Sequence, residues 1–115
     1  MSVVDVLLEN AKADVELLRL SDSRGDVFSR PRDVDFLFVV PSKDKGSLIA
    51  GFVNDNQYGK AAVQVSDDGS VSVLVTVNMP IEQNVIHSVS GLMACIAALF
   101  GVTYDGWGCV LKNAP

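Results

Sequence analysis

Few side chains in this sequence could do chemistry. His87 is the only histidine, and with Asp35 and Asp105 it could serve as a general acid or base. A catalytic histidine needs an orienting partner and a pocket, and His87 reads better as a lone surface or interface residue. Cys95 and Cys109 have no metal-ligand spacing, and a single histidine cannot complete a zinc set. Cys95 lies near Leu92 and Leu99 and reads as a buried reduced thiol. A Cys95–Cys109 disulfide has no support from the sequence. Asp67-Asp68-Gly69 lacks the flanking oxygen ligands of a calcium loop, and a hairpin turn explains it. Ser42-Lys43-Asp44-Lys45-Gly46 lacks the spacing of a phosphate loop. No Ser or Cys stands in a nucleophile elbow. These residues predict no catalytic constellation, no metal and no cofactor.

One cluster remains, Tyr104-Asp105-Gly106-Trp107-Gly108, which holds the only tryptophan. Two glycines around Trp107 permit positive φ and close backbone approach. In one reading this is a corner that locks the fold: Trp107 lies over a helix of small side chains with its N–H outward, and Asp105 caps neighbouring N–H groups. In the other, Tyr104 and Trp107 anchor a protein partner. Arg24, Arg30 and Arg32 sit among Asp22, Asp26 and Asp33 in a loop over 21–32. Such a cluster either binds an anion or an acidic partner, or is a solvated loop with weak ion pairs. Tyr104, Asp105, Trp107 and Arg32 are therefore the candidate protein contacts.

The elements that must position them follow from periodicity. Val4, Leu7, Leu8, Ala11, Val15 and Leu18 make an apolar stripe that predicts a helix over Val3–Leu20, with Asp5, Glu9, Lys12, Asp14, Glu16 and Arg19 on its polar face. It covers either a later helix or an open face of the sheet, or is a loosely docked leader. A strand over Asp33–Val40 has the unbroken run Phe36–Val40 and reads as buried on both faces. A helix from Ser42 to about Asn56 puts Leu48, Ile49, Phe52 and Val53 inward. Strands over Gly59–Ser66 and Ser70–Met79 form a hairpin, and the second carries Val71, Val73, Val75 and Val77 on the face that meets the helices. From Pro80 a long helix presents Val85, Val89, Leu92, Met93, Ile96, Leu99 and Phe100 on one side, and Gly101 stops it. A last strand runs from Tyr104 to Leu111.

The other side of that long helix reads Gln83, His87, Gly91, Ala94 and Ala98, and no charged residue occurs between Glu82 and Asp105. A helix with a solvated face normally carries charge there, so this one is expected to be covered on both sides. Water against the small residues, or a cleft where His87 meets an aspartate, would overturn a docking role. The strand-helix-strand-strand-helix-strand order after the first helix is the split βαβ pattern of ferredoxin-like folds. It predicts an α+β, βαββαβ antiparallel sheet with both helices on one face and strand order fourth, first, third, second.

The chain has 115 residues and 49% of them are hydrophobic, which fits one globular domain and excludes a disordered chain. Residues 1–29 form the leading helix and loop, and 30–111 the core. A net charge of −5 with no basic run disfavours phosphate backbones and suits a basic protein partner. The first residues do not read as a signal peptide, and the apolar run near Leu92–Val102 is short for a bilayer. A cytoplasmic protein is expected.

Gly101-Val102-Thr103-Tyr104-Asp105-Gly106-Trp107-Gly108 resembles the C-terminal signature of the RraB family, the regulators of ribonuclease E activity B. Arg30-Pro31-Arg32-Asp33-Val34-Asp35-Phe36 resembles the family's lead into its first strand, and Asp67-Asp68-Gly69 with the strand to Met79-Pro80 resembles its hairpin. Val71 departs from the family's common aromatic after the turn, and no acidic tail follows the last strand. The resemblance implies a ferredoxin-like domain that inhibits ribonuclease E, or regulates a related RNA-processing enzyme, by contact and without catalysis. Two rivals stand beside it: a small-molecule sensor with ligand between sheet and helices or across a dimer, and a homo-oligomeric structural module, such as a homodimer.

Overall fold

A computed structural model describes residues 2–110 and 112. The elements are α1 (Val3–Ser23), β1 (Arg32–Val40), α2 (Lys43–Asp55), β2 (Lys60–Val65), β3 (Val71–Met79), α3 (Gln83–Phe100) and β4 (Thr103–Cys109). Their order matches the reading of the sequence, with ends shifted by a few residues. Leu111, the expected end of the last strand, lies outside the described residues. The four strands form one antiparallel sheet in the order β2-β3-β1-β4.

Local chemistry fixes the ends. Ser2 caps α1 in a reciprocal box with Asp5, and Ser42 accepts from the Lys45 N–H at the start of α2. Gly101 ends α3 at φ 69°, a left-handed value that a side chain would resist. In the β2–β3 turn the Asp68 side chain accepts from the Ser70 N–H and hydroxyl, which holds its carboxyl below the usual range.

Alternation decides the sheet faces. Val34, Phe36, Phe38 and Val40 of β1 and Val71, Val73 and Val75 of β3 are buried against Ile49 and Val53 of α2 and Ile86, Met93 and Ile96 of α3. Both helices thus cover one face. The other face is open, and this corrects the expectation that β1 is buried twice: Asp33, Asp35 and Val39 are exposed. Thr76 donates to Asp35 and Asn78 to Asp33 across that face. The unbroken run Phe36–Val40 misled because Leu37 and Val39 are apolar residues on the open side.

The helix readings need further corrections, beginning with Val4 and Leu8 of the expected α1 stripe, which are exposed. Leu48 and Leu99 are exposed, Leu99 at 71%, although both were expected inward; Ile86, absent from the expected stripe, is fully buried. Cys95 is exposed, not buried. It shares with Ser88 and Leu99 a strip of α3 that neither the sheet nor α1 covers. Cys95 and Cys109 are both free thiols, and burial pushes the Cys109 thiol up. A thiol reagent at neutral pH should therefore label Cys95 first, and Cys95→Ser should abolish the fast phase. Equal rates at the two cysteines would contradict this surface.

The expected second cover for α3 is present along its middle, while Gln83 and Ala98 at the two ends of the same side are exposed. α1 packs along α3 and also reaches β4, where Trp107 bonds its Asp14. Leu7 lies 3.8 Å from the position a Cβ on Gly91 would take, and Ser90, Ala94 and Ala97 are buried. By length and composition α3 is apolar enough to cross a membrane; a third of it is buried inside the protein, where the sheet and α1 pack against it.

Candidate functional site

α1 does not dock by grease alone. Its inward line is Leu7, Asn10, Asp14 and Leu18, a helical spacing that includes a carboxylate. The sequence placed Asp14 on the polar face; the structure buries it at 1% exposure. Burying a carboxylate is costly unless hydrogen bonds surround it. Here Oδ1 accepts from the Trp107 indole N–H at 2.8 Å and from the Ser90 hydroxyl at 3.1 Å, and Oδ2 lies 3.0 Å from His87 Nδ1. A carboxylate can only accept, so His87 Nδ1 carries the proton in this pairing.

Ser90 extends the network. Its single proton goes to Asp14, so the neighbouring contacts must donate to it: Asn10 Nδ2 at 2.9 Å and the Tyr104 hydroxyl at 2.9 Å. The hydroxyl thus donates once and accepts twice, which exhausts it. No buried side-chain nitrogen or oxygen among the described residues lacks a partner.

β4 delivers two of these donors through an irregularity. Tyr104 pairs with Phe38 and Trp107 with Phe36, so β4 has one extra residue between these pairs. In a regular strand, residues three apart point to opposite faces. The bulge, with Gly106 at φ 93°, puts Tyr104 and Trp107 on the same face. That φ is the positive value the Asp-Gly pair foreshadowed. The Trp107 N–H, expected outward, points inward because α1 brings Asp14 to it.

The four candidate contact residues are therefore placed differently from one another. Tyr104 and Trp107 are half-buried with their polar atoms in the network, and Asp105 is exposed. Arg32 is buried at 2% exposure. Its Nη1 meets both oxygens of Asp26 at 2.8 Å and the Val110 carbonyl at 3.3 Å. Its Nη2 donates to the Val27 and Arg30 carbonyls, and its Nε also donates to Arg30. Arg32 thus ties the loop after α1 to both β1 and the end of β4, where the sequence suggested a solvated cluster. That loop is fixed further by the Ile81 N–H donating to the Phe28 carbonyl.

His87 does meet an aspartate, the condition set against a docking role. The geometry is not that of a relay. In a Ser-His-Asp relay the imidazole lies between hydroxyl and carboxylate. Here the carboxylate lies between the other two, and Ser90 is fully buried with no free lone pair. No group of three metal-ligating side chains occurs among the described residues.

Burial pushes the Tyr104 phenol well above its ordinary value of 10.0; the Ser90 hydrogen bond acts against this and the charge of Asp14 adds to it. The unfolded chain therefore releases this proton first. Stability tied to the neutral phenol is complete below pH 10.0 and is lost as pH climbs from there toward the raised folded value. In a Tyr58→Phe background, phenolate absorbance should rise only together with alkaline unfolding. Titration of Tyr104 at its ordinary value in the folded protein would contradict the network.

A family model described as Regulator of ribonuclease activity B matches residues 11–109. The chain belongs to the RraB family. The RraB match takes in every member of the Asp14 network except Asn10, and it includes the Arg32–Asp26 pair and the β4 bulge. Membership in a family of ribonuclease regulators supports a regulatory role for this chain. No curated protein sequence matches it.

Proposed function

We propose that this protein is a non-catalytic regulator that binds an RNA-processing enzyme, ribonuclease E or a relative of it, through direct protein contact. The observation that carries the proposal is the RraB match across residues 11–109. The rest of the molecule is consistent with it. The polar cluster has the connectivity of a structural seam, with its serine saturated. The antiparallel order β2-β3-β1-β4 with two helices on one face supports reading the core as ferredoxin-like, with α1 added to it. We take residues 30–111 as that core and the whole chain as one unit.

The open sheet face argues against direct RNA binding. RNA-binding sheets of this architecture stack bases on exposed aromatic residues. Here the central strands β1 and β3 present Asp33, Asp35, Leu37, Val39, Ser72, Leu74, Thr76 and Asn78, which include no aromatic and no cation; Lys60 of the edge strand β2 lies beside Thr76. Regulation by a protein contact fits this surface better than capture of the RNA. The space between sheet and helices is filled by Phe36, Phe38, Ile49, Val73 and Met93, which disfavours a ligand sensor of the buried kind. A cytoplasmic setting, where RNA-processing enzymes work, belongs to the same proposal.

The test is a cleavage assay. Purified ribonuclease E and a labelled RNA are mixed with increasing amounts of this protein, and complex formation is followed by sedimentation. Cleavage should slow as the protein approaches equimolar, with a complex of the two proteins present. Unchanged cleavage together with two independently sedimenting species would refute the proposal.

A further inference from the structure

A cleft of about 650 Å³ opens between α1, the end of α3 and the β4 bulge. Its apolar floor includes Val6, Ala94, Ala98 and Val102, and Glu9 and Asp105 lie on its rim. Among the described residues that line it there is no lysine or arginine. The C-terminal end of α3, the negative end of its dipole, lies beside the cleft with no basic residue in its last turn. Two carboxylates and a helix end thus set one sign of potential over an apolar floor.

We infer that this cleft is a docking site for a basic protein segment, one that inserts an apolar side chain onto the alanine floor and sets lysine or arginine beside Glu9 and Asp105. This deepens the regulatory reading above and rests on it, by assigning the partner's chemistry and the place it binds. Charge complementarity selects the occupant: the chain is net −5 and the rim is acidic, so a basic segment is steered to it and an acidic one repelled. The floor of small side chains leaves room that a larger partner side chain can fill. Side-chain insertion is favoured over addition of a strand to the β4 edge, because the bulge interrupts the regular ladder a new strand would need.

The probe is a short fluorescein-labelled peptide of alternating leucine and arginine, titrated with the full chain and followed by anisotropy. Glu9→Lys, which reverses the rim, and Ala98→Arg, which fills the floor, should each weaken binding about tenfold or more. Both positions are exposed, so the fold should tolerate the changes. Asp55→Lys reverses a charge at the far end of α2 and should weaken binding less than about twofold. The inference is overturned if Asp55→Lys weakens binding as much as Glu9→Lys, since attraction would then be to overall charge. It is also overturned if Ala98→Arg has no effect, or if sedimentation shows a dimer that Ala98→Arg dissolves, which would make a second copy the occupant. The cleavage assay separates this inference from the function it rests on. If the unmodified protein slows ribonuclease E and both cleft variants slow it equally, the cleft is overturned and the regulatory reading stands. If the peptide follows the cleft variants while ribonuclease E ignores the protein, the cleft stands and the target is wrong.

Discussion

Asp14→Ala should lose about 3–5 kcal/mol of folding stability in urea denaturation. Each buried donor left without its acceptor costs about 1–3 kcal/mol. The substitution strands the Ser90 hydroxyl and the Trp107 N–H inside the protein. His87 is partly relieved, because 27% of its side chain reaches solvent. Against a typical total of about 5–15 kcal/mol, such a loss leaves a barely folded protein. Asp14→Asn keeps the shape and one acceptor oxygen but turns an amide toward the donors, so its loss should be smaller but still clear. Trp107 is the only tryptophan, so its fluorescence reports whether α1 separates before the rest unfolds. A loss below about 1 kcal/mol for Asp14→Ala would show that α1 is held by apolar contact and that the network is incidental.

Arg32→Ala should be comparably damaging, by about 3–5 kcal/mol, because it leaves the Asp26 carboxylate buried without its partner. The side chains of Arg32 and Asp26 are 0% and 1% exposed, so water cannot replace the lost contacts without opening the loop. Arg32→Lys should fail to rescue, since an ammonium cannot reproduce the fork that reaches Asp26, Val27 and Arg30 together. Asp26→Ala combined with Arg32→Ala should cost less than the sum of the two single losses, because the second removal takes away a stranded charge. Additive losses in that cycle would mean that the pair is not coupled.

The sequence revealed the layers more readily than the site. The charge-free stretch after Glu82 marked a helix that α1 covers along its middle, but the same lack of charge hid the exposed Ser88, Cys95, Ala98 and Leu99. The alternating valines of β3 identified the face toward the helices. Asp14 was misread because a single carboxylate on an amphipathic helix looks like any solvated charge. Its partners are 73, 76 and 93 residues away, and no local pattern encodes them. Arg32 and Asp26 were close enough in sequence to be seen as a cluster, but burial is what separates a staple from a wet loop. A weak signal was present at His87 and Ser90: polar residues on a helix side expected to be covered must find partners there.

The bulge in β4 makes side-chain direction a matter of parity. Residues two apart in a regular strand share a face, so taking out Asp105 or Gly106 would leave both rings inward; a β4 that kept both residues but lost the bulge would send one of the two aromatic rings to the open side of the sheet. The carboxylate or the serine would then lose its donor although neither Tyr104 nor Trp107 had changed. In this strand the bulge carries as much information as the rings themselves, and a substitution at Gly106 that resists its positive φ would act on a helix nearly the whole chain away.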